Sequence, residues 1–325
     1  MKAITKAAKR RTGAIGACMA IALASGVSAC GSSGSQTSTK PGNITSALPA
    51  GMPGVGKPAI TMGDKNFEEQ YILGFLYTGA LQSKGYTVNL KPSIGSSEII
   101  DKALTSGQID MYPEYTGVIY QVLAGHTDNP PTAQVTYDVS QKFEQGRGFT
   151  LLQQTPFQDA DGVATTKPYA AQHHLKTIDD LKNLGPFSYG GPPENLNRLQ
   201  GVLGLQQEYG LSNLKFVPLT SGSQYQPLDG GQVDSIAIFT TDGQLLSNKY
   251  AVLDDTKHIF GFQNVAPLVK NSLLQSEGPE FAQILNTVSS KLSFEAIQQM
   301  NSAVVIAHQS PQAVAKQFLD ANGLG

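Results

Sequence analysis

No tryptophan occurs in the 325 residues, so any aromatic wall in this protein has to be built from tyrosine and phenylalanine. Cysteine occurs only as Cys18 and Cys30, both near the N-terminus. The rest of the chain therefore has no disulfide, no cysteine nucleophile and no thiolate metal site. Charged residues make up 15% of the chain and the net charge is -2. That is below the roughly one quarter of an average protein, and with no basic face it excludes nucleic acid as a partner. His126, His173, His174, His258 and His308 show no metal-ligand spacing, and neither a nucleophile elbow nor a phosphate loop is present. Glu68 and Glu69 are adjacent carboxylates, but neighbouring helix residues point apart, which argues against a joint acid–base role. The expectation is a protein that is not an enzyme and needs no cofactor.

What is present begins with a targeting segment. Lys2, Lys6, Lys9, Arg10 and Arg11 precede an apolar run from Gly13 to Ala24, too short for a span of about 20 residues. Val27-Ser28-Ala29-Cys30 closes it. This is the pattern of a secretory signal peptide over residues 1–29. Its end resembles a bacterial lipobox, which implies cleavage before Cys30 and acylation of its thiol. Residues 30–57, rich in Gly, Ser, Thr and Pro, bury too little to offset their ordering entropy and are expected to be a flexible tether to the bilayer.

From Pro58 onward, short strands alternate with helices. Ala59–Met62, Val88–Leu90 and Ile109–Tyr112 read as strands, and Asn66 with Glu69 reads as a capping box opening a helix that ends near Gly85. Ser96 and Ser97 read as caps of a second helix. A second set follows, with strands at Gly162–Thr165, Phe187–Gly190, Lys215–Pro218, Ser235–Phe239 and Ala251–Asp254, and a helix from about Asn197. From about Pro279 the chain reads as helical. The alternation argues an α/β protein with largely parallel sheets.

Some of these positions are suited to a ligand. Lys65 lies between a strand end and a helix N-terminus, where an ammonium and free N–H groups favour an anion; a solvated loop lysine is the plainer reading. Glu114 and Tyr115 end a strand, where open α/β sheets present ligand sites, and a tyrosine there offers its face to a cation or joins the core. Arg198 follows a Gly/Pro loop and suits a carboxylate through its planar fork, or a structural ion pair.

Gly63-Asp64-Lys65-Asn66-Phe67-Glu68-Glu69-Gln70-Tyr71-Ile72-Leu73-Gly74 together with Tyr112-Pro113-Glu114-Tyr115-Thr116-Gly117 resembles the glycine betaine/choline/carnitine-binding proteins of osmoprotectant ABC transporters. The resemblance runs from about Pro58 to Gly325, including Thr177-Ile178-Asp179-Asp180-Leu181 and Val233-Asp234. It implies a periplasmic-binding-protein-like fold of type II, with two α/β lobes joined by a two-crossover hinge. One lobe would be residues 58–158 plus 267–325 and the other residues 159–266. It also implies a monomeric, lipid-anchored extracytoplasmic receptor that binds a small-molecule solute and delivers it to an ABC permease in the membrane.

In that family tyrosines cage a quaternary ammonium, while Lys, Arg and Thr groups hold its carboxylate. Lys65, Tyr115 and Arg198 match the lysine, the first cage tyrosine and the arginine, and Asp159 matches a crossover aspartate. The hydroxyl-bearing residue three beyond the first tyrosine is Val118. The other cage positions fall on Asp161, Phe239 and Gln263, with Phe262 as an alternative to Gln263. Asp161 either attracts the cation directly or, with Gln263, hydrogen-bonds a polyhydroxylated or aromatic solute. A surface enzyme on the same two-lobed fold is the reading from another class.

Overall fold

Two five-stranded sheets, with helices packed around them, make up the computed structural model, which describes residues 47–325. The signal segment, Cys30 and most of the tether lie outside the described residues. The last part of the tether is packed rather than free. Leu48 lies against the first core, Gly54 N–H donates to Lys84 O at 3.0 Å, and Lys57 Nζ donates to Ser276 O at 2.7 Å. Gly54 has to be glycine, since a Cβ there would stand 2.2 Å from Tyr86 N.

The first sheet has the order β2-β1-β3-β10-β4, from β1 (Ile60–Gly63), β2 (Val88–Lys91), β3 (Met111–Tyr115), β4 (Phe149–Leu151) and β10 (Val265–Lys270). The second has the order β7-β6-β8-β5-β9, from β5 (Asp161–Thr166), β6 (Phe187–Gly191), β7 (Leu214–Pro218), β8 (Ser235–Phe239) and β9 (Tyr250–Leu253). Each sheet is mixed rather than largely parallel. A parallel trio is flanked by one strand arriving from the other sheet, β10 or β5, which runs antiparallel to both of its neighbours. A chain that crosses over and returns enters from the opposite end, so antiparallel pairing follows from the path.

β10 was hidden in the sequence by Pro267, because proline is rare in central strands. It is tolerated because Pro267 pairs directly with Pro113 of β3. Thr116 N–H donates to Asn264 O at 2.9 Å, which fixes that rung as hydrogen-bonded. Alternation then makes the proline rung a non-hydrogen-bonded one toward β3. Toward β4, Pro267 O accepts from Leu152 N–H at 2.9 Å, and Leu152 O, which proline cannot serve, accepts instead from Tyr137 Oη at 3.0 Å.

Helix α1 (Glu68–Gln82) covers the first sheet with Ile72, Leu73, Leu76, Tyr77, Ala80 and Leu81 buried. The C-terminal helices Pro279–Lys291, Phe294–Val305 and Pro311–Ala321 pack on it through Phe281, Ile284, Val288 and Leu319. Apolar residues at helical spacing thus form one large core on this side of the molecule. The second sheet has its own core, with Phe187, Tyr189, Leu205 and Tyr209 at its centre.

The chain passes between the sheets at residues 152–160 and 254–264, and the two passages are tied together. Gln158 and Asn264 form an antiparallel bridge, Asp159 N–H donates to Gln263 O at 3.0 Å, and Asn264 Nδ2 donates to Thr155 O and Phe157 O at 3.0 Å each.

Candidate functional site

A cleft opens between the two sheets, lined among others by Lys65, Phe67, Tyr115, Val118, Asp159, Asp161, Glu194, Arg198, Phe239 and Gln263. All seven positions singled out in the sequence therefore meet in one cleft. Lys65 and Tyr115 come from the first sheet's side, Asp161, Arg198 and Phe239 from the second, and Asp159 and Gln263 from the two passages between them. Strand ends supply most of them, since a sheet delivers side chains at fixed depth where its backbone pairing stops.

Lys65 is fully buried. Its Nζ is bonded to Glu114, donates to Ser97 Oγ at 2.9 Å and stands 4.5 Å from the centre of the Tyr115 ring. Burial lowers its pKa, with Glu114 acting in the opposite direction. Glu114 accepts also from Tyr115 N–H at 2.7 Å, while its Oε2 is buried without a partner. The neighbouring Asp64 accepts from Ser93 N–H at 2.6 Å, and burial pushes it up to about 7.

The start of α1 differs from the expected capping box. The N-cap position is Phe67, and no side chain caps it. Glu69 turns inward instead. It is buried and accepts from Tyr115 Oη at 2.9 Å, Thr241 Oγ1 at 2.5 Å and Asn301 Nδ2 at 2.9 Å. Three buried donors hold a carboxylate better than one backbone N–H at a helix end, so the long-range cluster wins over the local motif. Burial raises the pKa of Glu69 and, together with the charge of Glu69, that of Asp159. Asp159 Oδ1 accepts from Thr241 N–H at 3.1 Å. Glu69 and Thr241 thus connect the first helix to the end of β8. Ser96 and Ser97 do not cap helix α2 (Ser97–Thr105) through their side chains: Ser97 receives Lys65, and Ser96 Oγ donates to Glu98 Oε2 at 2.7 Å.

Phe67, which no sequence signal marks as a site residue, sits at the centre of the aromatic wall. Its ring stacks on Tyr115 at 6.1 Å and 25° and on Phe239 at 5.3 Å and 21°. The only hint was its place beside Lys65, because nothing in the spacing distinguishes it from a core residue.

Arg198 is not at a helix start. It is an extended residue that follows the short helix Pro193–Asn197, with the next helix beginning at Val202. One terminal nitrogen donates to both oxygens of Glu98 on α2 at 2.8 Å each, a contact that spans the cleft. Although partial burial works the other way, the guanidinium holds Glu98 down at about 2. Arg198 Nε is buried with no partner.

Gln263 faces the cleft, whereas Phe262 lines a separate surface hollow with Phe260 and His258. The Gln263 amide is engaged at both ends, accepting from Val118 N–H at 3.1 Å and donating to Phe260 O at 3.5 Å. Gly117 makes room for it, as a Cβ there would meet Phe262 O at 2.5 Å and Gln263 Nε2 at 2.6 Å. Asp161 is half-buried and pairs with Phe239 across the β5–β8 ladder.

The family described as the substrate binding domain of ABC-type glycine betaine transport system matches residues 58–321. A glycine-betaine-binding protein of Pseudomonas aeruginosa is 29% identical over 272 residues, 80% of this chain and 86% of that protein. An ergothioneine transport permease/ergothioneine binding protein of Helicobacter pylori is 26% identical over 82% of this chain, which spans 48% of that protein. Among solved structures, a glycine betaine/carnitine/choline ABC transporter protein superposes with a TM-score of 0.66 at 22% identity, covering 82% of this chain and 99% of that one. That likeness establishes the two-lobed α/β fold of a type II binding protein.

Proposed function

We propose, for a chain that belongs to the family of substrate-binding domains of ABC-type glycine betaine transport systems, that the cleft captures a quaternary-ammonium solute and presents it to the permease of an ABC importer. One observation carries the reading: three rings from opposite sides of the cleft, Tyr115, Phe67 and Phe239, stand in one wall beside the carboxylate of Asp161. Aromatic faces attract a cation that cannot donate hydrogen bonds, each contact being worth about 0.5–2 kcal/mol according to desolvation.

Residues 58–158 with 267–325 would act as one lobe and residues 159–266 as the other, turning about the tied passages at 152–160 and 254–264. Lys65, Tyr115, Asp159, Asp161, Arg198, Phe239 and Gln263 form the wall, with Lys65 and Arg198 shaping it through their carboxylate partners. Upstream, Cys30 would carry the lipid and hold a monomeric receptor at the outer face of the membrane. Among the described residues no helix is long and apolar enough to cross a bilayer. No chemical step is assigned to the cleft. A polyhydroxylated solute finds less to bond than the sequence promised, because the Gln263 amide is already bonded to Val118 and Phe260.

Thermal unfolding of the full chain tests this. A ligand at a hundred times its Kd stabilises the folded state by about 2.7 kcal/mol, which raises Tm by several degrees. Glycine betaine, choline or carnitine is expected to do so and sorbitol is not. A shift with sorbitol and none with any quaternary ammonium would reverse the assignment.

A further inference from the structure

Two cationic side chains face the cleft, Lys65 and Arg198, and each already has a carboxylate partner. Whichever member of the Lys65–Glu114 pair holds the shared proton, the pair is neutral as a whole. The Arg198–Glu98 pair is neutral as well. Besides the buried Asp159, which accepts from Thr241 N–H, two half-buried carboxylates, Asp161 and Glu194, line the same cavity. Neither is bonded to or paired with another side chain among the described residues. Among the described residues the wall therefore carries surplus negative charge and no uncommitted cation.

A zwitterionic betaine brings a carboxylate into this wall. To find a cation it must displace Glu98 or Glu114, and Asp161 and Glu194 repel it meanwhile. Like charges brought together in a desolvated site are strongly disfavoured. A quaternary ammonium alcohol brings the positive charge alone. Its neutral oxygen suits Arg198 Nε, a buried donor with no partner.

We infer that the cleft selects a net-cationic quaternary ammonium carrying a hydroxyl over a zwitterionic betaine, with Asp161 as its counter-ion; this rests on the quaternary-ammonium reading above. The placement is favourable because Asp161 and Phe239 are direct partners across the β5–β8 ladder. Residues opposed in this way share one face of the sheet, so a single cation meets the carboxylate and the ring together. Burial raises Asp161 to about 6, with Arg198 and Lys65 pulling it down and Glu194 pushing it up. Asp159 lines the same cavity and is raised by burial, and the surface hollow that Asp161 also borders carries Asp254, Asp255, Lys257 and His258. Asp161 is thus ionised above that value, and the preference for the cation is present at neutral pH and fades as pH falls through about 6.

Calorimetric titration of the full chain with choline and with glycine betaine, at about pH 7.5 and about pH 5, tests the inference. Choline is expected to bind about tenfold or more tightly than glycine betaine at the higher pH, with the ratio shrinking at the lower one. Asp161→Asn is expected to weaken choline about tenfold, to lower the choline-to-betaine preference by a similar factor, and to make the ratio independent of pH. Asp161→Glu, which restores the charge, is expected to restore the preference for choline. Glycine betaine binding as tightly as choline to the unaltered chain would overturn the inference alone, as would a choline preference that does not change with pH. Failure of every quaternary ammonium to bind would overturn the reading beneath it.

Discussion

Replacing Lys65 with methionine is expected to lower the unfolding free energy by about 3–5 kcal/mol, the usual cost of removing one partner from a buried ion pair. At this chain length that corresponds to a fall in Tm on the order of 10 °C. Glu114 is completely buried, and its Oε2 already lacks a partner. Without the ammonium, Oε1 keeps only the Tyr115 N–H, and the charge is buried without a counter-ion. The loss is therefore mainly the penalty on Glu114 rather than the worth of the contact. Adding Glu114→Gln to Lys65→Met is expected to recover a large part of the stability, because the second change removes the uncompensated charge. Denaturant unfolding of the two single variants and the double variant makes the cycle. A double variant as unstable as the sum of the singles would show that the two side chains act independently.

Glu69→Ala comes next in size. The change strips the acceptor from Tyr115 Oη, Thr241 Oγ1 and Asn301 Nδ2, all of them buried. A buried donor left unsatisfied costs about 1–3 kcal/mol. The three share one acceptor and one cavity, so the total is expected at about 2–5 kcal/mol rather than their sum. Two readouts separate this from simple loss of packing. Tyr115 loses the bond that fixes its ring against the cleft, so ligand affinity should fall together with stability. Thr241 follows β8 of the second sheet while Glu69 belongs to the first helix, so the lobes should sample a more open arrangement, visible as a larger radius in small-angle scattering. An alanine variant within 0.5 kcal/mol of the unaltered chain, roughly the spread of neutral surface changes, would remove Glu69 from the account.

The two strand-end motifs were legible because they are local. Gly63 to Gly74 and Tyr112 to Gly117 each occupy one strand end with its following turn, and their side chains reach the cleft by position alone. Asp161 and Phe239 were legible through the resemblance, and the ladder then showed that they oppose each other. What escaped the sequence depends on contacts between distant segments. Asn66 and Glu69 have the spacing of a capping box, yet Glu69 is drawn inward by Thr241 and Asn301, which lie more than 170 residues further on. Phe67 reads as a helix-entrance residue, and only the meeting of both sheets shows that its ring lies between Tyr115 and Phe239. β10 was obscured by Pro267 because the Tyr137 hydroxyl that takes the place of its missing N–H comes from a distant segment. The partner of Arg198 is likewise invisible in the sequence, since Glu98 lies on α2 across the cleft.

The central claim is that the aromatic wall receives a quaternary ammonium group. Calorimetric titration of the full chain with tetramethylammonium, a cation with neither hydroxyl nor carboxylate, measures that contact directly, and Phe239→Leu serves as the companion variant. Saturable binding of one cation per chain is expected, weakened about threefold to thirtyfold when the leucine keeps the apolar bulk but removes the ring face. No saturable heat at millimolar cation, or equal affinity in the leucine variant, would contradict it.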